Sequence, residues 1–132
     1  MTTITEDYVS FEIAKLLREK GFAEKCRTYY KVFPENRIAA IYHSSENRGV
    51  SEDDPNEILC PTLQMAIKWL LKKHNICIVS LPVVTDNEGE GGCLWNYIIS
   101  KKLKTLHTSD GLYESSEFAL SNGLKYALEN LI

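Results

Sequence analysis

The feature that most constrains this chain is a helical pattern that runs directly into a strand pattern. Residues 60–75 carry apolar side chains at helical spacing, and the apolar run 76–81 follows with almost no connecting residues. Pro61 suits the first turn of this helix, where its missing N–H is harmless. The helix is apolar on two sides, so it needs two surfaces against which to pack.

The two apolar sides of this helix differ in composition. Met65 and Trp69 are four residues apart and point almost directly away from the larger apolar side. They either pack under another helix of the same domain or lie on the surface and meet a partner, because Trp and Met are enriched at protein interfaces. We take Met65 and Trp69 as interface candidates. The larger side comprises Leu63, Ile67, Leu70, Leu71 and His74.

Local signals elsewhere predict two more helices and four strands. Ser10 is a suitable N-cap for a helix that runs to about Lys20 and stops at Gly21. Ser115 opens a last helix, and its leucine stripe keeps its phase across Gly123, although glycine costs about 1 kcal/mol inside a helix. Strands are predicted at 28–33, 38–42, 76–84 and 94–99, with 34–37 as a hairpin turn.

The predicted element order is α-β-β-α-β-β-α. Short β–β connections favour antiparallel pairing, and helices packed on such a sheet give an α+β domain. The expected fold class is therefore α+β, with a small antiparallel sheet packed with about three helices. Residues 1–132 are expected to form a single domain with a flexible, polar loop at 43–57, and residues 101–111 are expected to be irregular.

Composition fits a single soluble domain. The 132 residues are 44% hydrophobic and 25% charged, so the chain can bury a core without disulfides or a metal. The net charge of -3 argues against a broadly basic nucleic-acid-binding surface. No apolar run approaches the ~20 residues that span a bilayer, and the polar first residues lack the features of a secretory signal. We expect a cytoplasmic protein with reduced cysteines and no membrane partner.

Few residues have the spacing of a chemical site. His74 and Cys77 are the only closely spaced pair of good metal ligands, whereas a structural zinc site takes four, so neither a metal nor a cofactor is expected. Cys93 follows Gly91 and Gly92 and is a candidate thiol nucleophile. No histidine is placed beside it in the sequence to generate the thiolate. Cys93 equally fits a small buried residue after a hairpin loop.

Lysines form two short runs near aromatic residues. Cations beside aromatic rings are typical of surfaces that hold single-stranded nucleic acid. Lysines at the ends of elements are also commonly solvated, and they suit a helix C-terminus. We keep them as weaker nucleic-acid candidates: Lys72, Lys73, Lys101, Lys102 and Lys104.

Several segments together resemble a known group of proteins. These segments are 8–12, 14–17, 20–22, 61–66, 68–70, 74–76 and 126–132. They resemble small uncharacterised proteins of phages, prophages and mobile elements of gut Bacteroidota. The entry to the last helix departs from that group, with Ser116 and Phe118 in place of a Tyr and a Glu. The resemblance implies a phage-related origin and brings no activity with it.

The function expected from the sequence is binding without catalysis. A protein partner or a second copy of the chain is the favoured partner, through Met65 and Trp69. A single-stranded nucleic-acid-binding accessory protein is the alternative, and a thiol enzyme using Cys93 is less favoured.

Overall fold

A computed structural model describes residues 7–33, 38–49, 56–84 and 93–132, without the side chains of 38, 39, 45–48, 84 and 93. Three helices and six strands lie in these ranges. The helices are α1 (Phe11–Glu19), α2 (Leu63–His74) and α3 (Ser116–Asn130). The strands are β1 (Cys26–Phe33), β2 (Ile38–Arg48), β3 (Glu57–Leu59), β4 (Ile76–Val84), β5 (Cys93–Lys101) and β6 (Lys104–Thr108).

The predicted α+β class is confirmed, with three helices and antiparallel strands in the expected order. The strands form two three-stranded sheets, β2-β1-β3 and β4-β5-β6. Two strands have no counterpart in the sequence prediction: β3, which has three residues, and β6, which falls in the segment expected to be irregular. The mixed polar sequence of β6 lacks the alternation of a half-buried strand, so its pairing with β5 is what defines it.

The chain groups into two compact units, unit 1 at 1–66 and unit 2 at 67–132. The prediction of a single domain stays a prediction, and each unit is described by itself. The predicted loop at 43–57 begins and ends in strand, because β2 continues to Arg48 and β3 starts at Glu57. Residues 50–55 of that loop lie outside the described residues.

Unit 1 joins α1 to the β2-β1-β3 sheet. Ser10 caps α1 as predicted, and its Oγ accepts a hydrogen bond from the Ile13 N–H at 3.3 Å. The segment before the helix is held by backbone bonds from Val9 N–H to the Pro61 carbonyl at 3.1 Å and from Leu63 N–H to the Asp7 carbonyl at 2.8 Å. The fully or nearly fully buried side chains include Val9, Ile13, Ala14, Leu17, Ile58 and Cys60.

The direct passage from helix to strand predicted at the centre of the chain is present. A single residue, Asn75, connects α2 to β4, and its φ of 58° places it in the left-handed region. Its N–H donates to the Leu71 carbonyl at 3.0 Å, which ends the helix. Asparagine adopts this conformation at lower cost than most residues, so the chain can reverse within one position.

In unit 2, α3 packs on the β4-β5-β6 sheet. Ser115 caps it as predicted, and the helix is continuous through Gly123. Gly123 allows a close approach, because a Cβ there would lie 2.9 Å from Ile78 Cγ2 and 3.0 Å from Tyr97 Cδ2. The Ser80 and Ser116 hydroxyls share a hydrogen bond of 2.6 Å at the start of the helix. The fully buried side chains of this layer include Ile76, Ile99, Leu124, Ala127 and Leu128.

Candidate functional site

The two interface candidates on α2 have different environments. Met65 is 37% exposed, whereas Trp69 is only 6% exposed and packs its ring edge-on against His74, with ring centroids 5.2 Å apart. Trp69 follows the buried Ala66 by three residues and precedes the buried Leu70, so it belongs to one wide buried stripe. Of the two alternatives for these residues, the burial of Trp69 favours internal packing, and the helix does not present Met65 and Trp69 together as an interface.

The buried side of α2 differs in part from the predicted one. Leu63 and Leu70 are buried as expected, but Leu71 is 49% exposed. Met65 is partly engaged in unit 1, because the Cys26 Sγ lies 3.8 Å from its Sδ. Ala66 had little weight in the sequence pattern because its side chain is small, yet it is fully buried together with Trp69.

The lysine candidates come together at one end of the β4-β5-β6 sheet. Ile76, the first residue of β4, is the antiparallel partner of Lys101, and Lys101 is in turn the partner of Lys104. Antiparallel partners lie about 5 Å apart. Lys73 lies three positions before Ile76, so the distance between their Cα atoms is at most about 11 Å. All the lysines of this group, which we call the lysine end, are exposed: Lys72, Lys73, Lys101, Lys102 and Lys104.

The central residues of the lysine end lie in a tight turn. Lys102 and Leu103 connect β5 to β6 with φ of 52° and 42°, the pattern of a type I′ hairpin. Asn-Gly is the usual sequence there, because a left-handed conformation costs other residues about 1–2 kcal/mol each. The Leu103 side chain is fully exposed, so burial of that side chain does not offset this cost.

The segments that carry the lysine end contain no acidic side chains. Residues 58–84 and 93–109 include no aspartate or glutamate. On α3, Glu129 has its own partner in Lys125, at 4.0 Å. The positive charge is local to the lysine end, because residues 67–132 as a whole carry seven lysines and seven acidic residues.

Two buried thiols, those of Cys26 and Cys60, are poor nucleophiles. Burial, followed by the charge of Glu24, raises the pKa of Cys26 to about 11. Burial also raises the pKa of Cys60 to about 12, and its thiol donates to the Val9 carbonyl at 3.4 Å. Both remain protonated at neutral pH, where the thiolate is the reactive form. Cys93 begins β5, but its side chain lies outside the described residues, so the thiol-enzyme alternative stays a prediction.

We next consider groups of metal ligands and clefts on the described residues. Within the part of the chain that the structure describes, no group of three or more His, Cys, Asp or Glu residues is placed to hold a metal ion. A cleft in unit 1 has a volume of about 10 Å³, room for about one water. Its lining is Ala14, Arg18, Phe22, Glu57 and Leu59. A second depression of about 380 Å³ beside Lys15, Arg18, Glu19 and Ile58 is shallow and open to solvent.

An exposed apolar face on unit 2 was not found from the sequence. Val79 and Leu81 of β4 alternate with Ile78 and Ser80, which face α3, so they point to the other side of the sheet. Val79 and Leu81 are 43% and 41% exposed. The nearly continuous apolar run of β4 lacks the alternation that would identify an exposed side from the sequence.

Comparison of the chain with protein-family models, with curated proteins and with solved structures found no match. The resemblance to phage and mobile-element proteins stays an expectation. Among the helices described, none has the length and apolar character needed to cross a membrane.

Proposed function

We propose that this chain is a non-catalytic module that binds nucleic acid through the phosphate backbone, using the lysine end. The observation that carries the proposal is the pairing of Ile76 with Lys101, which brings two lysine runs from distant parts of the sequence to one end of a sheet. A cytoplasmic location and a phage-related origin belong to the same proposal. The expectation of a protein partner, which relied on Met65 and Trp69 together, becomes the second candidate because Trp69 is buried.

Phosphate binding fits the chemistry of the lysine end. Lysine ammonium groups are compact point charges on flexible stems, suited to phosphates whose position along a strand is not fixed. The type I′ turn holds Lys101 and Lys104 side by side, while Lys102 lies at its tip. No aspartate or glutamate lies near these lysines in the sequence, since residues 58–84 and 93–109 contain neither.

The experiment is the salt dependence of oligonucleotide binding. We expect the full chain to bind a fluorescent 20-nucleotide single strand, with anisotropy titrations from 50 to 200 mM NaCl. If all the lysines of the lysine end contact phosphates, raising the salt over that range should weaken binding roughly 10²-fold. Each contact that is lost should make the slope of log affinity against log salt shallower by about 0.7. We expect Lys102→Gln to reduce the slope by this amount.

Lys15→Gln on α1 is the matched control, because it removes the same charge from an exposed helical position of unit 1. Equal slopes for the two variants, or no binding at 50 mM NaCl, would overturn the proposal. Binding to anionic phospholipid vesicles without binding to the oligonucleotide would also overturn it and would assign the lysine end to a membrane surface instead.

Protein interaction, including self-association, is the second candidate, favoured by the exposed apolar side chains of Val79 and Leu81 on one face of β4. Exposed apolar patches on soluble proteins commonly mark contact surfaces. If the chain sediments as an oligomer, binds no oligonucleotide, and becomes a monomer on Leu81→Lys, this second candidate replaces the first.

A further inference from the structure

The two faces of β1 differ in composition, and one of them is basic and aromatic. Cys26 and Thr28 are both 3% exposed, and Tyr30 packs edge-on against Phe11 of α1, with ring centroids 5.5 Å apart. The remaining positions of the strand point to the opposite face because side chains alternate along a strand. That face presents, in order, Arg27, Tyr29, Lys31 and Phe33.

A second tyrosine extends this face onto the neighbouring strand. Tyr29 is the antiparallel partner of Tyr42, and the two rings stack 5.7 Å apart at an interplanar angle of 16°. β2 is an edge strand in the order β2-β1-β3, and Tyr42 is 40% exposed. The ring face of Tyr42 that points away from Tyr29 therefore has no strand beside it in the described part of unit 1.

The charged residues on this surface favour phosphate binding at one of its ends. Arg27 is exposed, and it precedes Tyr29 by two residues, about 7 Å along the strand. At the other end, Lys31 lies opposite Glu57 of β3, so its charge is partly offset. The exposed Glu24 precedes the strand, on a segment that also carries the exposed Lys25. A phosphate is thus best placed beside Arg27, next to the Tyr29–Tyr42 stack.

We infer that this surface, formed by Arg27, Tyr29 and Tyr42, binds single-stranded nucleic acid by stacking a base on the free face of Tyr42 while Arg27 contacts a neighbouring phosphate. Aromatic side chains flanked by cations hold single strands in this way, without reading sequence. A duplex hides its base faces, so the inference specifies the strandedness of the ligand. It rests on the proposed function for the ligand class, but it is carried by a different surface in the other unit.

The test is a double-mutant cycle that removes the Tyr42 ring from the protein and the base from the strand, separately and together. Wild type, Tyr42→Phe and Tyr42→Leu are titrated with a 20-nucleotide single strand, with the same strand carrying abasic sites, and with the matching duplex. We expect Tyr42→Leu to weaken binding of the normal strand by 5- to 100-fold, with Tyr42→Phe close to wild type. On the abasic strand, Tyr42→Leu should change little, because the base that the ring contacts is already absent.

Salt dependence separates this surface from the lysine end. Tyr42→Leu should leave the slope of log affinity against log salt unchanged, whereas Arg27→Gln should reduce it by about 0.7. Equal binding of Tyr42→Leu and Tyr42→Phe, an equal loss on normal and abasic strands, or a preference for duplex would overturn the inference. If salt-dependent binding still required Lys102 in that case, the proposed function would stand alone; no binding to any strand would overturn both. Should Tyr42→Leu not fold, Tyr42→Val, which also removes the ring and suits a strand, replaces it in the same comparison.

Discussion

Gly123→Ala should destabilise unit 2, although alanine is the better helix former. The new Cβ would lie 2.9 Å from Ile78 Cγ2 and 3.0 and 3.1 Å from Tyr97 Cδ2 and Cγ. Comfortable contacts between carbon atoms begin near about 3.5 Å. Ile78 and Tyr97 are each 5% exposed, so neither side chain has free space into which to move. The helix must therefore shift away from the sheet by several tenths of an ångström.

The sign of the effect follows from two opposing magnitudes. Replacing glycine by alanine inside a helix gains about 1 kcal/mol, whereas inserting a methyl group into a packed interior costs about 1–3 kcal/mol. We expect the cost to prevail and the free energy of unfolding to fall by about 1 kcal/mol. Gly123→Val should lose more than 2 kcal/mol, because it adds two further methyl groups and a β-branch.

Urea unfolding followed by tryptophan fluorescence measures the effect directly. Both tryptophans, Trp69 and Trp95, belong to unit 2, so the signal reports the unit that contains Gly123. Ser121→Ala is the control: it lies on the same helix and should gain a few tenths of a kcal/mol from helix propensity alone. If Gly123→Ala were more stable than wild type by the full propensity gain, α3 would not approach the sheet at this distance, and the argument would be refuted.

Two further predictions concern the β5–β6 turn and the buried thiols. Leu103→Gly should raise the stability of unit 2 by about 1 kcal/mol in the same urea assay, because glycine adopts the left-handed conformation without strain; a loss of stability would contradict the type I′ assignment. Stability should also decrease in alkali, because the unfolded thiols release their protons near the ordinary pKa of 9.0, while folding raises the pKa of Cys26 to about 11 and that of Cys60 to about 12. The contribution is complete below pH ~9 and is lost as the pH rises toward the folded values. Cys26 and Cys60 lie in unit 1, which has no tryptophan, so this urea unfolding is followed by far-UV circular dichroism. A midpoint that is as sensitive to pH between 8 and 11 in Cys60→Ala as in wild type would contradict the prediction.

Local signals in the sequence predicted most of the elements. The helix caps at Ser10 and Ser115, the strand at 76–84 and the uninterrupted last helix are as expected. Each depends on side chains within a few residues of one another, so the sequence contains the physical cause. The same holds for the one-residue passage at Asn75, whose side chain suits the left-handed conformation.

Burial on α2 depended on more than its own pattern. Met65 and Trp69 share a side of an isolated helix, yet their exposed fractions are 37% and 6%. The pattern gave weight to large apolar residues, whereas the small Ala66 is also fully buried. The width and direction of the buried stripe were therefore decided by tertiary packing.

The sequence alone determined which lysines and aromatic residues this chain carries, and on which elements they lie. Tyr29 and Tyr42 belong to the hairpin predicted at 28–42, and their pairing follows locally from the position of its turn. Only the tertiary structure decided that the two lysine runs are neighbours, because the pairing of Ile76 with Lys101 joins strands separated by a long connection. A shift of one residue in that register would move every side chain to the opposite face. For that reason the elements and the hairpin could be predicted locally, while the lysine end could not.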